Sequence, residues 1–196
     1  MKRRDLFKAA AMTATGVALG SLSDINTTFA KEVTKMTKEQ FSTVFPMGAK
    51  NDAYAQYFVG QSYLNMLSLD QVVIGNVTFE PGCRNNWHIH HADKGGGQIL
   101  LVTGGRGYYQ EWGKPARELH AGDVVNIPAG VKHWHGAAPT SWFAHLAITV
   151  PGENSKNEWC EPVDAEEYNK LFISACYILL HQRARTIRSY CFRPEP

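Results

Sequence analysis

From residue 57 onward the chain alternates short runs of β-branched and aromatic residues with glycine- and proline-rich turns. The runs are Tyr57–Phe58, Tyr63–Leu67, Val72–Phe79, Trp87–His90, Ile99–Thr103, Gly107–Trp112, Val124–Ile127 and Trp142–Val150. Turn sequences such as Pro81-Gly82 and Gly104-Gly105 separate them. Many short strands at this spacing predict an all-β domain, an antiparallel barrel or sandwich, rather than alternating strands and helices.

The segments on either side of this region have a different pattern. Residues 31–56 are mostly polar and form a predicted N-terminal arm to a barrel over 57–171. Within the barrel's last part, Asp164–Tyr168 predicts a short helix lying against the sheet. Residues 172–196 are rich in arginine, with no acidic residue before Glu195, and do not continue the barrel's pattern. We assign no chemistry to this atypical C-terminal tail.

Residues 1–30 have the pattern of an export signal. Arg3 and Arg4 precede the apolar, small-residue run Ala9–Leu22, which is followed by the small residue Ala30. The arginine pair resembles the twin-arginine signal, so we expect export, to a bacterial periplasm. A general secretory signal and an amphipathic N-terminal helix are the alternatives. The run is too short and polar for a membrane span, and none is expected in the mature protein.

Length and charge narrow the class of partner. A chain of 196 residues with 44% hydrophobic residues can bury one sizeable core, which favours a single domain. The net charge of +2 gives no reason to expect nucleic acid or an anionic membrane surface as a partner. The four cysteines show no CxxC spacing, which argues against a structural zinc site of that type. We therefore expect a small-molecule substrate or ligand.

A pair of histidines carries the clearest chemical signal. Because alternate residues of a strand point to the same face, His88 and His90 present two imidazoles to one side. An imidazole pair favours zinc, iron, copper, nickel or manganese over calcium, and His133 would complete a set of three. Gln98, after the glycine-rich turn, is a candidate fourth ligand through its amide oxygen. His91 directly follows His90 and should face the other way.

The spacing of these residues resembles the two sequence motifs of the cupins. The first motif is matched by Gly82, five residues, His88-Ile89-His90, and later Gln98 and Gly105; the second by Gly122, Pro128-Ala129-Gly130 and His133. Two positions depart from the family pattern: Gln98 stands where glutamate is usual, after the longer insert 91–97, and Ala137 replaces an asparagine. The resemblance implies a single-domain cupin, a jelly-roll β-barrel with short flanking helices.

Within the cupins, the chain looks like two related groups. The resemblance is carried by Gln98–Thr103, Gly122–Val125, Lys132–Ala138 and His145–Ile148. One group accompanies carboxymuconolactone-decarboxylase-like domains; the other comprises small manganese cupins with (R)-hydroxynitrile lyase activity. Both imply three histidines and a glutamine around one divalent ion, with manganese ahead of iron, zinc, copper or nickel. The helical decarboxylase-like half has no counterpart here, so that chemistry is not carried over.

Two further histidines are candidate catalytic residues. By strand alternation His135 shares a face with His133, and the resemblance places His145 in the pocket of the lyase-like cupins. Either can act as an acid-base group near neutral pH. Either can equally be a hydrogen-bonded core residue without a catalytic role.

The sequence leaves three functions open. The leading hypothesis is a metal-dependent enzyme acting on a small carbonyl or hydroxylated compound, hydroxynitrile-lyase-like, with the metal as Lewis acid and a pocket histidine as base. The second is a metal-dependent dioxygenase of the quercetinase kind, and the third a non-catalytic small-molecule-binding cupin. By analogy with related cupins, a homodimer is expected.

Overall fold

The computed structural model describes residues 34–171. The predictions for the export signal, 1–30, and for the C-terminal tail, 172–196, lie outside the described residues. Within 34–171, no helix has the length and apolar character needed to cross a membrane.

The described chain contains fourteen strands. They are β1 (Ala49–Lys50), β2 (Phe58–Val59), β3 (Ser62–Ser68), β4 (Ile74–Phe79), β5 (Arg84–Asn85), β6 (His88–His91), β7 (Lys94–Gly95), β8 (Gln98–Glu111), β9 (Arg117–His120), β10 (Val124–Ile127), β11 (His133–Ala137), β12 (Phe143–Thr149), β13 (Gly152–Glu153) and β14 (Lys156–Trp159). A 3-10 helix covers Asp52–Tyr57, and one α-helix, α1, covers 165–171. The predicted all-β class is confirmed.

The long strand β8 joins the two sides of the barrel. Its first half pairs with β10 and β12, and β12 continues through β4 and β3 to β1. Its second half pairs with β9 and β11, which leads to β5, β6 and, beside β6, to β14. Each of these pairings is antiparallel. The arrangement is a single-domain jelly-roll, in which one strand serves both sheets.

The predicted turn at Gly104-Gly105 is wrong, because β8 runs through both glycines. Across this point the pairing with β12 shifts register, since Ala144 lies opposite Gly104 but His145 lies opposite Val102. Gly105 has φ +71°, and a Cβ there would lie 1.8 Å from the carbonyl oxygen of Trp142. The glycines therefore allow a bend and a close backbone approach inside one strand, which a sequence pattern does not distinguish from a turn.

Apolar side chains from both sheets fill the barrel. Phe79, Leu100, Leu119 and Phe143 are completely buried in the main cluster. A second cluster lies under α1, where Tyr168 packs with Trp134 and Val163. The Asp164 carboxylate accepts hydrogen bonds at 2.9 Å from the backbone N–H groups of Glu166 and Glu167, which caps the helix. The predicted short helix against the barrel is therefore confirmed.

Candidate metal centre

Three histidines meet on the inner face of the barrel. His88 and His90 alternate on β6 with Ile89 between them, and His133 begins β11 directly opposite His88. One nitrogen from each ring lies within 4.8 Å of the corresponding nitrogens of the other two, so the three form a group that could hold one metal ion. The structure thus brings these three predicted residues together. His91 points away, and its Nε2 lies 2.7 Å from the Glu158 carboxylate.

In each of the three histidine rings, the same nitrogen, Nδ1, makes a hydrogen bond to an oxygen atom. His88 Nδ1 lies 2.9 Å from the Asn86 carbonyl oxygen, and His133 Nδ1 lies 2.9 Å from the Val131 carbonyl oxygen. His90 Nδ1 lies 2.7 Å from Oδ1 of Asn157. Since these oxygens only accept, each Nδ1 carries the proton and donates. Each Nε2 is left with its lone pair, which is the form that binds a metal.

Gln98 reaches the same site from the start of β8. Its side chain is buried, and the residue lies beside Ile127 of β10 and Thr149 of β12. The preceding Gly97 has φ +91°, and a Cβ there would lie 2.2 Å from the Ile127 carbonyl oxygen. A glycine is needed at that turn for the longer insert to return the chain to the site.

Unpartnered atoms in the site match the needs of an ion. Among the described residues, the buried atoms His90 Nε2, His133 Nε2 and Gln98 Oε1 have no hydrogen-bond partner. Buried polar atoms without a partner are costly, and a cation bound by lone pairs would satisfy all three at once. Nitrogen-rich donors with one amide oxygen suit a first-row transition metal rather than calcium. The residues present therefore fit a divalent transition metal.

Burial keeps the ligand imidazoles uncharged. It lowers the pKa of His88 well below 6.5 and the pKa of His133 to about 4. It also lowers the pKa of His90, although the hydrogen bond with Asn157 and the nearby amide of Gln98 act in the opposite direction. Protons therefore compete weakly for the site near neutral pH.

We predict an unusually flat dependence of metal affinity on pH. Because burial lowers the pKa of all three imidazoles below 6.5, they are largely neutral at that pH, and metal affinity should change little between about pH 6.5 and pH 8. Affinity should fall as the pH is lowered further, toward the His133 pKa of about 4. Calorimetric titration with Mn²⁺ across this range measures it. A steep loss of affinity beginning at about pH 6.5 would contradict the prediction, because exposed histidines behave in that way.

A second imidazole pair lies directly behind the first group. His135 Nδ1 is 3.1 Å from His145 Nε2, and the Asn85 amide nitrogen is 3.1 Å from His135 Nε2. The amide is fixed in this orientation because its oxygen accepts the backbone N–H of His135 at 2.9 Å. The amide nitrogen also lies 3.3 Å from His135 Nδ1, so the shorter contact pairs it with His135 Nε2. In the tautomer that accepts this bond at Nε2, His135 Nδ1–H donates to His145 Nε2. Burial lowers the pKa of His135 well below 6.5 and that of His145 to about 4, so both rings are neutral.

Three of these histidines open onto a cavity of about 170 Å³, and His133 is not among them. His88, His90, Gln98 and His135 line one part of it, and His145 is not among its lining residues. The remaining wall is largely apolar and includes Tyr54, Phe58, Leu64, Met66, Val73, Val77 and Trp159. His145 is completely buried, so its contact with the cavity runs through His135. A cavity of this size and lining suits a small, partly apolar compound.

Three residues of the site were not predicted from the sequence. Asn157 and Trp159 belong to β14, a strand that no alternating apolar pattern marks, and Asn85 lies on the two-residue strand β5. The Trp159 ring lies 4.9 Å from the His88 ring. In Asn157-Glu158-Trp159, one charged residue separates two uncharged ones. Only the pairing of β14 with β6 shows that this alternation places Asn157 and Trp159 beside His90 and His88.

Comparison with known proteins agrees with this architecture. The cupin domain model matches residues 75–146. A 95-residue stretch is 46% identical to the (R)-mandelonitrile lyase of Granulicella tundricola, covering 48% of this chain and 70% of that protein. Among solved structures, a cupin-like protein from Thermotoga maritima is 41% identical, with a TM-score of 0.57; the match covers 66% of this chain and 96% of that one. The chain belongs to the cupin superfamily.

Proposed function

We propose that this protein is a metal-dependent lyase that cleaves small hydroxynitriles into a carbonyl compound and hydrogen cyanide. The observation that carries the proposal is the convergence of His88, His90 and His133 beside the imidazole pair His135 and His145, with His88, His90 and His135 lining one cavity. The likeness to an (R)-mandelonitrile lyase supports this reaction class. We further propose manganese as the resident ion, following the resemblance to the manganese cupins.

The cavity supports a substrate with one small ring. A cavity of about 150 Å³ in a protein interior is enough to hold benzene, and this one is about 170 Å³. Its apolar residues, among them Phe58, Leu64 and Val77, line the same cavity as the histidines. An aryl or alkyl group would lie against these side chains while the hydroxyl and nitrile groups point to the imidazoles. Mandelonitrile has these two parts: an apolar ring, and a carbon that carries the hydroxyl and nitrile groups.

His88, His90, Gln98 and His133 would hold the ion. When bound, a divalent cation supplies a Lewis acid for a substrate hydroxyl oxygen. All four ligands are uncharged, so they leave the positive charge of the site unneutralised and favour an oxygen that gains negative charge. His88 and His133 are both buried, so their rings would limit the access of water to the bound substrate from that side.

The imidazole pair would move the proton. His135 Nε2, which accepts the Asn85 amide in the resting protein, would take the proton of the substrate hydroxyl. The O–H electron pair then forms the carbonyl bond, and the bond to the nitrile carbon breaks with its electrons leaving on cyanide. His135 returns the proton to cyanide and becomes neutral again. His145 Nε2, 3.1 Å from His135 Nδ1, stabilises the transient imidazolium by accepting its other N–H.

A direct assay tests the proposed reaction. Metal-loaded protein is mixed with racemic mandelonitrile at mildly acidic pH, and benzaldehyde is followed by its absorbance. We expect metal-dependent cleavage that consumes one enantiomer and disappears after treatment with a chelator. Absence of cleavage across a panel of aryl and alkyl hydroxynitriles would contradict the proposal. Oxygen uptake with a flavonol under the same conditions would instead favour the dioxygenase reading.

A further inference from the structure

The three candidate ligands are held by two kinds of hydrogen bond. His88 and His133 each donate from Nδ1 to the carbonyl oxygen of the residue two positions earlier in the chain. These contacts are part of the local backbone and no side-chain substitution removes them. His90 differs, because its Nδ1 donates to a side chain on another strand, Asn157, 67 residues later. His90 is thus the ligand whose orientation depends on a side chain.

The strand β14 places this side chain with the same alternation as β6. In the antiparallel register Asn157 lies opposite His90, Glu158 opposite Ile89 and Trp159 opposite His88. Asn157 and Trp159 therefore face the cavity, which both residues line. Glu158 faces the other way and contacts His91 instead. The strand covers both histidines of β6 from one side.

We propose that Asn157 is a positioning residue that fixes the tautomer and ring orientation of His90 and so sets the metal affinity of the site; this rests on the proposed metal-dependent function. The 2.7 Å contact requires a proton on His90 Nδ1 for the Asn157 oxygen to accept, which leaves the buried Nε2 as the ligand atom. Replacing a residue that hydrogen-bonds to a metal ligand typically lowers metal affinity by about 10- to 100-fold.

The side chain of Asn157 is an uncharged amide, and this affects the charge of the site. A carboxylate at position 157 would accept the same hydrogen bond but add a negative charge and make the imidazole more basic. An amide orients the ring and adds no net charge. The chain thus keeps a neutral set of ligands and a neutral partner around the ion, which preserves its strength as a Lewis acid.

The exposure of Asn157 makes the proposal testable by substitution. Its side chain is exposed, so truncation leaves no buried void and should not unfold the barrel. In Asn157→Ala we expect the dissociation constant for Mn²⁺ to rise about 10-fold or more. Asn157→Asp should restore the affinity to the wild-type value or beyond. Glu158→Gln, one residue away on the opposite face, is the matched control and should bind Mn²⁺ like the wild type.

The decisive experiment combines that titration with a second measurement that needs no metal. Long-range ¹H–¹⁵N NMR spectra of the metal-free protein report which nitrogen of His90 is protonated. We expect the Nδ1–H form in the wild type, Asn157→Asp and Glu158→Gln, and a mixture of both tautomers in Asn157→Ala. Wild-type affinity together with an unchanged tautomer in Asn157→Ala would overturn the inference. Another outcome is that the wild type binds no metal while Asn157→Ala still changes the tautomer of His90. That result would overturn the proposed metal centre but support the control of His90 by Asn157.

Discussion

Replacing His90 with alanine should abolish both stable metal binding and hydroxynitrile cleavage, whereas replacing the adjacent His91 should leave both intact. His90 contributes one of the three converging ring nitrogens, while His91 faces the other side of β6 and contacts Glu158. Removing a direct ligand should weaken Mn²⁺ binding by more than about 100-fold, beyond the loss that follows from changing an outer partner. Metal content by mass spectrometry and the mandelonitrile assay measure the two effects.

The neighbouring pair makes the comparison well controlled. Both variants lose the same side chain at consecutive positions of one strand, so a general effect on β6 would appear in both. Thermal unfolding of the metal-free proteins shows whether either change damages the fold. Equal metal content and equal activity in His90→Ala and His91→Ala would contradict the assignment of the site.

The second large effect is expected at the imidazole pair. His135→Gln and His145→Gln should each lower kcat by about 10²- to 10⁴-fold, the usual contribution of a positioned acid-base group. Neither residue belongs to the converging ligand group, so metal content should stay at the wild-type level. Because the two rings share one hydrogen bond, the double variant should be little worse than the more affected single variant.

Glutamine is chosen because it keeps a polar group in a fully buried position and avoids a large void. Steady-state kinetics with mandelonitrile, on protein of verified metal content, give the values. If kcat in both single variants equals that of the wild type while the metal is retained, the pair has only a structural role and the proton must move by another route. Strictly additive losses in the double variant would show that the two histidines act independently.

The ligand set was predictable because its signals are local. Strand alternation predicts that His88 and His90 share one face. The resemblance to the cupin motifs implies that Gln98 and His133 join them. The structure brings the three histidines together and buries Gln98 on the wall of the same cavity. The all-β class follows from the same short-range pattern of runs and turns.

Other parts of the site depend on pairings between distant segments. Asn157 contacts His90 only because β14 returns alongside β6, and nothing near position 157 marks that register. His145 follows the point where the pairing of β12 with β8 shifts register, and it contacts His135, which lines the cavity. Tyr54, Phe58 and Trp159 line the cavity although they lie far apart in the sequence. These are consequences of long-range packing rather than of local composition.

The proposed metal site holds a single transition-metal ion between His88, His90, His133 and Gln98. The most direct measurement is anomalous X-ray diffraction from crystals of the Mn²⁺-loaded protein. We predict one strong anomalous peak, about 2.0–2.3 Å from the three Nε2 atoms and close to Gln98 Oε1, with the remaining positions facing the cavity. Fully loaded crystals with no peak at these four residues, or with the ion bound elsewhere, would contradict this metal site.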